Sequence, residues 1–167
     1  QDDVIVAVPE EIDLDRAEWR IPAERMKMRE PHLVPLSAQA IELLRELHTY
    51  TGGRGFIFPN YRNPKTCMTA TTLNRALERM GFNGKDSIGF SAHGFRATAS
   101  TILNEIGFRP DVIERQLAHA ERNKVRASYN QAEYLEERRA MMQQWADLTD
   151  EMAKDDDKVT PIKKAAA

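Results

Sequence analysis

Residues 92–119 read AHGFRATASTILNEIGFRPDVIERQLAH, and the punctuation of this stretch decides most of the fold. Ala99, Ile102, Leu103 and Ile106 recur at the three- and four-residue spacing of one helical face, which predicts a helix from His93 to Ile106 with those four buried. Gly107 ends it, since glycine is the usual residue just past a helix. Pro110 opens another helix, because its fixed φ suits a first turn whose N–H groups have no partner. In that second helix Val112, Ile113 and Leu117 fall on the inward side.

The pattern continues outward in both directions. Upstream, Ser37 is an N-cap candidate before Ile41, Leu44 and Leu47, and Gly52-Gly53 stops that helix. Thr69 can cap a further one carrying Leu73, Ala76, Leu77 and Met80, closed by Gly81. Between them run a short apolar segment, Gly55 to Pro59, and a loop through Asn63-Pro64. Nearer the start, Ile12–Leu14, Trp19–Ile21 and Leu33–Pro35 read as strands, the last two joined by a long polar tip from Ala23 to Pro31. Trp19 and Ile21 share a face at the strand period of two. Downstream, a short helix is expected over Lys124–Asn130, and another over Tyr134–Leu148 anchored by Leu135, Met142 and Trp145. The fold class is therefore α+β and mainly helical, a small antiparallel N-terminal sheet packed against a helical bundle. Residues 1–150 form one domain, and the Asp- and Lys-rich stretch 151–167 is expected to be a disordered tail.

Composition narrows the class. With 41% hydrophobic and 30% charged residues the chain is an ordinary globular one. No apolar run approaches the roughly 18 residues that span a bilayer. No basic-then-apolar leader opens the sequence, and the single cysteine, Cys67, has no cysteine partner, so a reducing cytoplasm is the expected setting. The net charge of −2 opposes nucleic-acid binding by the chain as a whole. However, the acids gather at the ends, at Asp2, Asp3, Glu10, Glu11 and Asp13 and at Asp147, Asp150, Glu151 and Asp155 to Asp157. Basic clusters hold the middle, at Arg25, Lys27 and Arg29 and at Arg115, Arg122, Lys124 and Arg126.

Within the opening stretch, His93 and Arg96 stand three apart, so on a helix an imidazole and a guanidinium share a face. Arginine offers a planar fork of donors matched to two phosphate oxygens, and histidine exchanges a proton near neutral pH. Alone, the pair reads first as a helix-end histidine beside a solvated arginine. Three further features surround it. Leu117-Ala-His119 ends the next helix, and Tyr129 follows ten residues later in Arg126-Ala-Ser-Tyr-Asn130. Lys27 lies in the hairpin tip, eight residues before Pro35 of Leu33-Val-Pro-Leu-Ser37.

In order and spacing this set resembles the catalytic domain of the tyrosine recombinases, in particular the phage-type integrases. That domain is marked by a hairpin lysine before Val-Pro-Leu, then His-x-x-Arg, then Leu-Gly-His, then a nucleophilic tyrosine about ten residues on. Phe56-Ile-Phe-Pro59, Ala92-His-Gly-Phe-Arg-Ala-Thr-Ala99 and Tyr134-Leu-Glu-Glu-Arg-Arg139 extend the likeness, which covers about residues 4–148. The resemblance implies site-specific recombination of double-stranded DNA at attachment sites, integrating or excising a prophage or integrative element, by a homotetramer of the full-length protein. It implies that Tyr129 attacks the scissile phosphate and forms a 3′-phosphotyrosine. Arg96 then binds the non-bridging oxygens, His93 assists proton transfer or hydrogen-bonds the phosphate, His119 donates to the phosphate, and Lys27 protonates the departing 5′-oxygen. Neither a metal nor another cofactor is required, because cationic side chains fill that role. ATP is not needed either, because the phosphotyrosine keeps the broken bond's energy.

Two departures from the family pattern stand out. Ala118 replaces the usual glycine. The first phosphate-binding arginine of an Arg-x-Gly-Glu-Leu segment would fall before Gln1, with Asp2-Asp3 where Gly-Glu belongs and Pro9 where tryptophan is usual. The expectation is an N-terminally truncated chain, inactive or impaired alone. Two other functions compete: a type IB topoisomerase, which shares the chemistry, and a non-catalytic DNA-binding or assembly module. Tyr134 competes with Tyr129 as nucleophile but lies fifteen residues past His119. His32 and His48 read as structural or surface residues. Lys65, Arg75, Arg79, Arg122 and Lys124 are candidates for contacts to the DNA backbone. Finally, Leu135–Leu148 could pack on a neighbouring subunit or on its own core.

Overall fold

The first turn of the sheet is written by Asp13, whose carboxylate accepts the backbone N–H groups of Asp15 (3.2 Å) and Arg16 (2.9 Å), a local bond that favours turns over strands. The chain reverses there through Ala17 at φ +56°. The computed structural model describes residues 2–26, 29–53, 55–118 and 134–154. In it β1 (Ile12–Asp13), β2 (Glu18–Ile21) and β3 (His32–Pro35) form an antiparallel meander in the order β1-β2-β3. Trp19 stands opposite both Ile12 and Val34, and Ile21 opposite His32. The strands match the sequence expectation to within a residue. The expected polar tip between β2 and β3 contains a 3-10 turn at Ala23–Arg25, while Lys27 and Met28 lie outside the described residues.

A one-turn helix that sequence patterning did not predict, α1 (Asp2–Ile5), precedes the sheet. Next, α2 (Ala38–Thr51) begins at Ser37, whose hydroxyl accepts the N–H of Ala40 at 3.2 Å, and ends at Gly52 in the left-handed conformation. The third helix, α3 (Ala70–Arg79), begins after Thr69 as expected, but that hydroxyl is engaged with the hydroxyls of Thr71 and Thr72 and does not cap the helix. The fourth and fifth, α4 (Gly94–Glu105) and α5 (Pro110–Gln116), are the two helices of the opening stretch. The last described helix, α6 (Leu135–Lys154), runs six residues beyond the expected end at Leu148. Thus Glu151–Lys154 of the expected tail is helical, and 155–167 lie outside the described residues, as does the helix expected over Lys124–Asn130.

The core forms where α4, α5 and α6 meet, around Leu103, Val112, Ile113 and Met141. Phe108, Leu117, Tyr134, Met142 and Trp145 close around it. Several expected placements shift. Of the four residues expected to be buried on α4, Leu103 is buried, Ala99 and Ile102 are half-buried, and Ile106 is exposed, because α4 has ended and this residue sits in the cap. On α6 the expected anchors Leu135, Met142 and Trp145 are only half-buried, while Arg138, Met141 and Ala146 are buried. Of the two packings open to this segment, the structure shows α6 on its own core. Gln143 binds α6 to the start of α2 by accepting the N–H of Ala38 at 2.9 Å. Among the described residues no helix is long and apolar enough to cross a membrane.

A further link, from the sheet to α6, is ionic. Glu18 is 2% exposed and faces Arg20 at 2.9 Å, Arg139 at 2.5 Å and Arg16 at 3.5 Å. Burial pushes its carboxyl up. The hydrogen bonds from Arg20 and Arg139 and the charges of Arg16 and Arg139 outweigh that, so it lies below the ordinary carboxylate value.

Candidate active site

The N-terminus of α4 carries a histidine and an arginine. His93 occupies the N-cap position, exposed, and Arg96 is the third helical residue, half-buried. No acid lies in the first turn. A cation at this end opposes the helix dipole, and an anion there is stabilised. Arginine and histidine at such an end therefore favour a bound anion. The turn itself is held from two sides. Asn74 of α3 accepts the N–H of Ala92 at 2.9 Å, and Phe90 packs edge-on against Phe95, 4.9 Å between ring centres. Phe90 also explains Gly94, where a Cβ would stand 2.8 Å from its ring.

Arg96 reaches across to the next helix and donates from Nη2 to the carbonyl of Leu117. Leu117 caps the C-terminus of α5, the negative end of its dipole, where a guanidinium is favourable. One side chain thus joins the start of α4 to the end of α5. Ala118 follows at φ +51°, in the left-handed region where glycine is at ease and other residues are strained.

Of the five residues singled out from sequence, the structure describes His93 and Arg96. Lys27, His119 and Tyr129 lie outside the described residues. The competitor Tyr134 directly precedes α6, packs against the core, and carries the guanidinium of Arg109 over its ring at 5.1 Å. His48 is exposed, its ring lying over Gly53. His32 is buried and structural, with Nε2 3.2 Å from the carbonyl of Gln116. Lys65, Arg75 and Arg79 are exposed, while Arg122 and Lys124 lie outside the described residues.

Sequence reading missed that Gln116, Arg138 and His32 belong to this neighbourhood. Arg138 is 0% exposed, donating from Nε to Gln116 Oε1 at 2.8 Å and from Nη2 to the carbonyl of Leu33. A signal for it existed: Arg138 stands three after Leu135 and four before Met142, an arginine on an apolar stripe. For Gln116 there was none.

Residues 6–136 match the Phage integrase family. The prophage integrase IntA of Escherichia coli (strain K12) is 51% identical over 139 residues, covering 83% of this chain and 33% of that protein. The integrase of Enterobacteria phage P4 is 44% identical over 155 residues, covering 84% and 35%. The chain thus spans about a third of the length of these curated relatives. Among solved structures, the integrase from mycobacterium phage Brujita superposes with a TM-score of 0.62 at 16% identity, over 99% of this chain and 48% of that one. At that identity the likeness establishes the fold.

Proposed function

The chain belongs to the phage integrase family, and from that premise we propose that it supplies the cleaving and rejoining part of site-specific DNA recombination, through a 3′-phosphotyrosine at Tyr129. The observation that carries this reading is the bridge from Arg96 to the Leu117 carbonyl. It sets the guanidinium beside the point from which the chain continues to His119, with His93 at the same helix end. His32, at the foot of the hairpin that bears Lys27, is joined to the same end of α5 through Gln116.

In the proposed reaction the phenolic oxygen of Tyr129 attacks phosphorus, its proton leaving with the help of His93. The bond from phosphorus to the 5′-oxygen breaks, and Lys27 gives that oxygen a proton. Rejoining is the reverse, a 5′-hydroxyl attacking the phosphotyrosine. A tyrosine's ordinary pKa of about 10 makes it a weak nucleophile at neutral pH, so neighbouring cations must stabilise the phenolate. Arg96 and His119 stabilise the extra charge on the phosphoryl oxygens in the transition state. The exposed Lys65, Arg75 and Arg79 are positioned in this reading for backbone contacts that orient the duplex without reading bases. The substrate is double-stranded DNA carrying attachment sites, the acting form a homotetramer, and the setting the cytoplasm.

The test places residues 6–136 into the corresponding part of a related integrase and traps covalent protein–DNA adducts on a nicked attachment-site duplex. Tyr129→Phe should abolish the adduct, Arg96→Ala should slow it about 10²–10³-fold and Lys27→Ala about 10²–10⁴-fold. Adduct formation indifferent to Tyr129→Phe and Arg96→Ala would overturn the reading. The isolated 167-residue chain is expected to cleave far more slowly than the graft.

A further inference from the structure

Gln116 is gripped at two places by two different elements. Its side chain accepts from Nε of the buried Arg138 on α6 at 2.8 Å, and its carbonyl stands 3.2 Å from Nε2 of His32 on β3. A carbonyl has no proton to give, so the His32 nitrogen is the donor. Arg138 also reaches the carbonyl of Leu33, the residue after His32. The sheet, α5 and α6 therefore converge on one glutamine. Gln116 is the last residue of α5, and the next carbonyl along, Leu117, is the one that receives Arg96.

We infer that Arg138, acting through Gln116, is a positioning residue that fixes the guanidinium of Arg96. For its consequence in catalysis the inference rests on the integrase reading above. A guanidinium is costly to bury, and an apolar side chain of similar volume often serves stability as well or better. Packing alone therefore does not call for arginine at a buried position of the helix that carries Met141 into the core. What arginine adds is direction, because its N–H bonds fix distance and angle in a way that apolar contact does not. Direction is what the next residue needs. If the end of α5 shifts by an ångström, the Leu117 carbonyl carries Arg96 with it, and a misplacement of that size can cost about 10²-fold in rate.

The experiment follows the guanidinium Nη–H resonances of Arg96 in the 15N-arginine-labelled chain, assigned by their loss in Arg96→Lys. Arg138→Met should leave the chain folded while hydrogen exchange at the Arg96 Nη–H groups quickens about tenfold or more, as local opening requires. Gln116→Leu, which removes the link and keeps the arginine, should have the same effect, and it decides the matter should Arg138→Met not fold. Gln116→Glu, which keeps an acceptor for Arg138, should restore the slow exchange. A brace that is structural only would lower thermal stability in Arg138→Met and Gln116→Leu yet leave Arg96 exchange in the folded chain unchanged, and that result would overturn the inference. The two readings fail separately. A responsive Arg96 signal without a Tyr129-dependent adduct in the graft would overturn the integrase chemistry, and an adduct with an unresponsive signal would overturn the positioning role.

Discussion

The corner where α4, α5 and α6 meet and the side where α2 faces the first strand are built from similar residues to opposite ends. At the corner Met141 is 0% exposed, and Arg96, Gln116 and Arg138 tie together the helix ends that surround it. On the α2 side no residue of the helix is fully buried. Leu44, Leu47, Trp19, Ile12 and Ile57 there line an open apolar groove of about 530 Å³, with Leu43 66% and Tyr50 78% exposed at its rim. Hydrophobic residues at helical spacing occur in both, so amphipathicity does not separate them. The difference is whether other elements close over the face. The candidate site sits on the closed corner, where its geometry is over-determined.

The contrast is sharpest in stability. Met141→Ala should leave a cavity that its neighbours cannot fill and cost about 2–5 kcal/mol. Leu43→Ser, on the open side, should change stability by less than about 0.5 kcal/mol. Urea unfolding of the two variants measures both. Equal costs would mean that the α2 face is as well packed as the corner.

Glu18 tests how the sheet is fastened to the corner. Glu18→Gln removes the charge that faces Arg16, Arg20 and Arg139 and should cost about 1–3 kcal/mol at pH 7. The folded-state carboxyl lies below its ordinary value. Its contribution is therefore complete above the unfolded value of about 4.3 and is lost as pH falls through the lower folded one. Stability curves of wild type and variant should accordingly converge in acid. Parallel curves down to pH 2.5 would show that Glu18 does not carry the acid sensitivity of this junction.

The comparison also explains what could be read in advance. Helix ends were legible where backbone chemistry dictates them, at Ser37, Gly52, Gly107 and Pro110, because capping and φ restrictions are local. The strands were legible from short apolar segments between turn residues. Which face of a helix becomes the interior was less so. On α6 the buried stripe passes through Arg138, whose charge hides it from hydrophobic periodicity, and so the half-buried Met142 and Trp145 stood in for Met141 and Ala146. The same helix outran its expected end partly because Gln39 binds Asp147 at 2.8 Å and Asp150 at 3.0 Å, and a bond to α2 has no signature in a polar stretch. At the candidate site, residue types and order were legible from the motifs. The hold of Arg138 on Gln116 was not, because it joins residues 22 apart in sequence and depends on three elements packing at once.

A smaller effect lies at a left-handed residue of this corner. Ala118 holds φ +51° directly after the carbonyl that receives Arg96. Relieving an L-residue of the left-handed conformation is worth about 1–2 kcal/mol, while glycine's greater freedom in the unfolded chain returns about 0.4–1 kcal/mol. Ala118→Gly should therefore stabilise the protein by about 0.5–1 kcal/mol in urea unfolding. An equivalent glycine at Ala76, helical and exposed in α3, should instead destabilise by about 1 kcal/mol. If Ala118→Gly destabilised by the same amount as Ala76→Gly, the corner would not hold residue 118 in a left-handed turn. The bridge from Arg96 to Leu117 would then lose the rigid support on which the site's geometry rests.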